Sequence, residues 1–136
     1  MACIKELLRN EENGAISFGD YSLPEKKKVE GFKSGDDILK VKTFKELTKL
    51  ERDEMFLYES EPGTNVSDFT QDEHELSFNV SGYEDAMITV GLKEDTEYEV
   101  FENGVSAGKV KTNLGGKLSI SVSLSEGTAV NIRIAL

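Results

Sequence analysis

The sequence predicts a mainly β fold, an antiparallel β-sandwich or barrel-like domain with a short N-terminal helix. Three observations carry this. Four segments alternate apolar and polar residues with period two: Leu76, Phe78, Val80; Ala86, Ile88, Val90, Leu92; Leu118, Ile120, Val122, Leu124; and Val130, Ile132, Ile134, Leu136. Such alternation puts one apolar face on each of four half-buried antiparallel strands. Their spacing of roughly ten residues suits a sandwich or barrel. At 136 residues, 38% hydrophobic and 31% charged, the chain has the balance of a globular domain, and its length allows about two-thirds of its surface to be buried.

The elements follow in order. Residues 2 to 9 read as a helical stub, because Ile4, Leu7 and Leu8 fall at i, i+3 and i+4. So short a helix does not stand alone, so its apolar stripe packs on its own core or on a neighbour. Asn13-Gly14 marks a turn. Residues 15 to 23 read as a strand with Ile16 and Phe18 on one face. Pro24 and Lys26-Lys27-Lys28 form an exposed, solvated connection. Residues 37 to 50 are ambiguous: Leu39, Val41 and Thr43 alternate, while Phe44, Leu47 and Leu50 recur every three. We read one long strand with room for a bulge, turning at Arg52-Asp53-Glu54 into Met55-Phe56-Leu57-Tyr58. Helix over 43 to 51 is the alternative. Pro62-Gly63 is a break.

One hairpin is read to register. Tyr98 and Val100 should share a buried face with Val110. A two-residue Asn103-Gly104 loop sets Tyr98 against Lys109 and mixes the faces. A three-residue loop, Glu102-Asn103-Gly104, sets Tyr98 against Gly108 and Glu97 against Lys109, with Gly104 in the left-handed position. Asn113-Leu114-Gly115-Gly116 reads as a tight turn before a strand. Any boundary lies near 61 to 72. That gives an N-terminal β-rich subdomain over 1–65 and a C-terminal sandwich subdomain over 70–136, or one continuous core.

Sixteen Lys and Arg face twenty-six Asp and Glu, a net charge of −10. Such a surface repels nucleic acid and anionic membranes. The charge is uneven: residues 72–102 hold ten acids and one base, and residues 103–136 hold four bases and one acid. Neighbouring strands pairing opposite charges would explain this, as would head-to-tail contacts between copies. Cys3 is the only cysteine, so no intrachain disulfide forms. The Met1-Ala2-Cys3-Ile4-Lys5 start has no apolar signal-peptide region, and no apolar run approaches the ~20 residues of a membrane span. The expectation is a cytoplasmic protein.

Candidate chemistry is sparse. The carboxylate pairs Glu11-Glu12, Asp36-Asp37, Asp53-Glu54, Glu84-Asp85 and Glu94-Asp95 sit where turns are expected, so they read as solvated turn residues. His74, the only histidine, lies between Glu73 and Glu75 and reads as an exposed strand-edge residue. A lone His with no Cys nearby makes no His-rich metal site, and Cys3 lacks an activating partner in sequence. Tryptophan is absent, and nothing in the sequence groups Tyr21, Tyr58, Tyr83 and Tyr98 on one face. Ser119, Ser121 and Ser123 form a polar row, read as the solvent side of a half-buried sheet. We expect no catalytic residue, cofactor or metal.

Two stretches resemble a family of small bacterial proteins labelled "endosialidase". One is Lys40-Val41-Lys42-Thr43-Phe44-Lys45-Glu46-Leu47-Thr48-Lys49-Leu50-Glu51, with Met55-Phe56-Leu57-Tyr58-Glu59-Ser60 and Pro62-Gly63-Thr64. The other is Thr96-Glu97-Tyr98-Glu99-Val100 with Gly108-Lys109-Val110-Lys111-Thr112-Asn113-Leu114-Gly115-Gly116-Lys117-Leu118. The C-terminal half also resembles the small β-domains appended to carbohydrate-active enzymes. Sialidases typically use a tyrosine nucleophile and an arginine cluster, whereas Arg9, Arg52 and Arg133 are the only arginines and lie in three segments. No catalytic residue is therefore carried over.

The functional expectation is a non-enzymatic β-rich structural or interaction protein that forms a homo-oligomer or binds a protein partner. Its candidate interface is the apolar termini: Ile4, Leu7, Leu8, Ile134 and Leu136. The alternative is a carbohydrate-binding or sugar-processing accessory module with a glycan as ligand.

Overall fold

The computed structural model describes residues 4–136. Among them are thirteen strands and no helix: β1 Leu8–Asn10, β2 Ile16–Phe18, β3 Lys27–Ser34, β4 Asp37–Phe44, β5 Leu47–Arg52, β6 Met55–Glu61, β7 Asn65–Gln71, β8 Glu75–Ser81, β9 Ala86–Gly91, β10 Glu97–Glu102, β11 Val105–Lys111, β12 Lys117–Val122 and β13 Val130–Ala135. They form two antiparallel sheets and no closed barrel. One sheet has seven strands in the order β1-β2-β7-β8-β13-β10-β11; the other has six, β12-β9-β6-β5-β4-β3. Both draw strands from each half of the chain, and one hydrophobic cluster runs from Leu8 to Ile134.

The period-two segments become β8, β9, β12 and β13. Each turns its apolar set inward: Leu76, Phe78 and Val80; Ala86, Ile88 and Val90; Leu118 and Val122; Val130, Ile132 and Ile134 are all buried. Between the sheets, Tyr58 from β6 meets Phe18 edge-on at 5.2 Å and Phe78 at 5.6 Å. Aromatic pairs of this geometry contribute about 0.5–1.5 kcal/mol each beyond their buried area.

The shortest link between the sheets runs from β6 to β7 through Pro62, Gly63 and Thr64. Gly63 lies against β4: a Cβ there would sit 1.9 Å from the Phe44 carbonyl oxygen. Thr64 is buried and anchors the link. Its N–H donates to Thr48 Oγ1 at 3.0 Å, and Thr48 Oγ1 donates to the Thr64 carbonyl at 2.9 Å. Thr43 Oγ1 bonds Thr48 Oγ1 at 2.9 Å and accepts from the Asp20 N–H at 2.9 Å. On the other side, Thr64 Oγ1 bonds the Tyr58 phenol and Ser60 Oγ, each at 2.8 Å.

Four expectations are corrected. The N-terminal helix is not present over the described residues, and Met1 to Cys3 lie outside them. Leu7 has φ +70 and Leu8 begins β1. So short a segment gains more by pairing Leu8 with Phe18 on the β2 edge than from a few helical bonds. The single strand read over 37–50 is a hairpin, β4 and β5, with Phe44 opposite Leu47 across Lys45-Glu46. The alternative helix over 43–51 is also absent. Lys27 and Lys28 open the edge strand β3 rather than a connection, and both are exposed.

The fourth correction is the β10–β11 register. Tyr98 does share a row with Val110, but through a two-residue turn at Asn103-Gly104, both with positive φ. Phe101 faces Ser106 and Val100 faces Gly108, so Ala107 is an extra, bulged residue. The bulge shifts the strand by one and restores the matched faces. It also sets Glu97 opposite Lys111 and Glu99 opposite Lys109. The charge asymmetry is thus partly absorbed by neighbouring strands, with Lys111 3.1 Å from Asp95 and Arg133 3.5 Å from Glu75.

Thr64→Val, which strands the Tyr58 and Ser60 hydroxyls, should cost about 1–3 kcal/mol. Urea unfolding should show a lower midpoint with the same slope, and an unchanged midpoint would remove Thr64 as an anchor. Burial also holds the Tyr58 phenol well above its ordinary value of 10.0, although hydrogen bonds from Thr64 and Ser60 oppose it. The folded state therefore keeps its proton where the unfolded chain loses it. This contribution is complete below pH 10 and lost progressively above it. A spectrophotometric titration should show one tyrosine ionising only as the protein unfolds.

Candidate functional site

Chemistry-bearing groups gather in three places. The first is one flank of the sandwich, where β11 and β12 end their sheets. Gly116 accepts a bond from the Leu92 N–H at 2.7 Å. By antiparallel alternation, Leu118, Ile120 and Val122 then bond β9, while Ser119 and Ser121 turn their backbone N–H and C=O groups outward. The β12 register runs from Lys117 to Val122 without a bulge. Leu114, in the link from β11 to β12, is 81% exposed, and Val105, at the start of β11, is 70% exposed.

The opposite flank is built differently. There β1 has three residues, and β3 carries Lys27, Lys28 and Lys33 with a bulge between Val29 and Phe32. Asn10 Nδ2 donates to the Lys33 carbonyl at 3.0 Å, tying the two edges together. Short, charged and bulged edges resist further strand pairing. The β12 edge has none of these protections from Leu118 to Val122.

The second place is a cleft of about 450 Å³ at one end of the sandwich. Ile16, Leu39, Leu57 and Phe69, all buried, lie at its floor. Its rim includes Glu11, Asn13, Asp37, Arg52, Thr70 and Gln71. Arg52 is 3.7 Å from Asp37 and donates to Gln71 Oε1, whose Nε2 donates to the Gly91 carbonyl at 3.3 Å. Glu11 accepts from the Ser17 hydroxyl and from Arg9 Nη2 at 3.1 Å. The Ser17 bond first, then Arg9, holds its carboxyl below the usual range.

The third place is the opposite end, where the rings of Tyr21 and Tyr83 lie 5.6 Å apart and tilted by 40°. Sequence alone does not group these tyrosines; the fold does. The Tyr21 phenol donates to Glu126 at 3.1 Å and that of Tyr83 to the Lys45 carbonyl at 2.7 Å. The tilt denies them one flat face.

Of the candidate interface residues, Ile4, Leu8 and Ile134 are buried within the chain, Leu7 is half-buried against the core, and Leu136 is 55% exposed. Leu136 N–H donates to the His74 carbonyl at 2.9 Å. His74 is exposed beside β8, and Cys3 lies outside the described residues. Among the described residues, no three His, Cys, Asp or Glu side chains are placed to hold a metal ion. No helix there is long and apolar enough to cross a membrane. The edge of β12 and the cleft escape sequence reading because strand order makes them; the Glu11-Glu12 and Asp36-Asp37 turns were legible, but not that they meet.

Comparison with known proteins returns no matching family, no matching curated protein and no matching solved structure. The site chemistry makes one local prediction. Ser17→Ala should raise the Glu11 pKa toward the ordinary carboxylate value, as followed by NMR titration of its side chain. An unchanged pKa would mean that Arg9 alone holds the charge.

Proposed function

We propose that the chain is a non-enzymatic interaction module that pairs with a second copy of itself along the β12 edge. The observation that supports this is the contrast between edges: β1 has three residues, and β3 is lysine-rich, bulged and tied through Asn10, whereas β12 carries no bulge and no charge over Leu118–Val122. A strand added beside Ser119 and Ser121 satisfies their outward backbone groups. The apolar termini contribute stability to each copy, since Ile4, Leu8 and Ile134 are buried in it.

Light scattering after size exclusion tests this over a range of concentrations. The natural chain should show a mass well above 15.1 kDa. Ser121→Pro removes an outward N–H and no bond to β9. It should return the mass to that of the monomer while changing stability by no more than ~1 kcal/mol. A monomer at every concentration, or an assembly indifferent to Ser121→Pro, would overturn the proposal.

A further inference from the structure

We infer that the end cleft is a binding site for a small neutral polyhydroxylated ligand, of the size and chemistry of one sugar unit. The inference is independent of the β12 edge. It rests first on how the cleft is built. Two bulges on facing sheets shape its floor. In β6 the register against β5 shifts after Leu50, so the adjacent residues Leu57 and Tyr58 are both buried. In β7 it shifts between Ser67 and Thr70, with Asp68 at φ +53, and Phe69 turns inward while Thr70 stays exposed. Without these shifts, strict alternation would send Leu57 and Tyr58 to opposite faces. Bulges that re-aim side chains gather next to binding sites.

The lining then selects the ligand class. An apolar floor under a rim of donors and acceptors complements a sugar, whose C–H faces are apolar and whose edges carry hydroxyls. Arg52 is half-buried and held between Asp37 and Gln71, and Gln71 is fixed by Gly91. Those groups are positioned before any ligand arrives, which lowers the ordering cost of binding. Thr70 and Asn13 add neutral polar groups to the rim.

Charge disfavours the alternatives. Glu11, Glu12 and Asp37 face the single guanidinium of Arg52 across the lining. An anionic sugar meets a net negative site. A cation finds two of the three carboxylates engaged, Glu11 with Arg9 and Ser17 and Asp37 with Arg52, which leaves Glu12 alone to meet it. A neutral ligand needs none of these pairs broken.

The test is a ¹H–¹⁵N NMR titration with glucose, galactose and N-acetylglucosamine, with N-acetylneuraminic acid as the anion and spermidine as the cation. At least one neutral sugar should give saturable shifts confined to amides of residues 10–14, 34–37 and 69–71. Arg52→Met should weaken that binding at least tenfold, and Ser121→Pro should leave it unchanged. Should Arg52→Met fail to fold, Gln71→Leu should give the same loss. No saturable shift with any neutral sugar would overturn the inference. So would saturation by the anion or the cation alone, or undiminished binding in both cleft variants.

Discussion

The buried hydroxyl cluster around Thr64 is the constraint on which the two sheets depend. A chain passing from β6 to β7 in three residues has no slack, so its backbone groups must find partners inside the core. Thr48 supplies both, accepting from the Thr64 N–H and donating to its carbonyl. The cost of burying polar groups is offset because each is bonded in turn to Thr43, Ser60 or Tyr58. Gly19 and Gly63 leave the backbone room to close in: a Cβ at Gly19 would lie 2.4 Å from the Thr64 carbonyl oxygen. With this link fixed, Tyr58 is held against Phe18 and Phe78, and the inner faces of the sheets are set relative to one another.

The rest of the topology grows outward from that link. In the six-stranded sheet β6 pairs with β5 on one side and β9 on the other; in the seven-stranded sheet β7 pairs with β2 and β8. Growth away from the link ends in two different flanks. One closes with β1 and β3, lysines and the Asn10–Lys33 bond. The other ends in β11 and β12 with backbone groups facing out. The cleft arises where the turns at Glu12–Gly14 and Gly35–Asp36 meet the bulged ends of β6 and β7. Assembly and ligand binding would therefore occupy separate regions of one rigid core.

The four strands with alternating apolar residues were legible because β-structure needs nothing beyond period two to bury them. The N-terminal stub was not, because Ile4, Leu7 and Leu8 satisfy a helical stripe as well as a turn followed by one short edge strand. The Lys45-Glu46 turn carried no Gly, Pro, Asn or Asp to announce it. In the β10–β11 hairpin the conflict of faces was legible, and so was the pairing of Tyr98 with Val110. The remedy was not: a bulge at Ala107 and a longer loop both correct a register by one residue. The cleft and the Tyr21–Tyr83 pair join residues far apart in sequence, so only strand order reveals them. No local pattern marks β12 as an edge, since its alternation is the same as that of the interior strand β9.

Native-state hydrogen exchange at low and high protein concentration tests the account most directly. The Thr64 amide should exchange only with global unfolding, because its bond to Thr48 is buried where the sheets join. The amides of Ser119 and Ser121 should exchange rapidly in dilute solution and become protected as concentration rises. A Thr64 amide that exchanges as fast as a loop, or Ser119 and Ser121 amides indifferent to concentration, would contradict it.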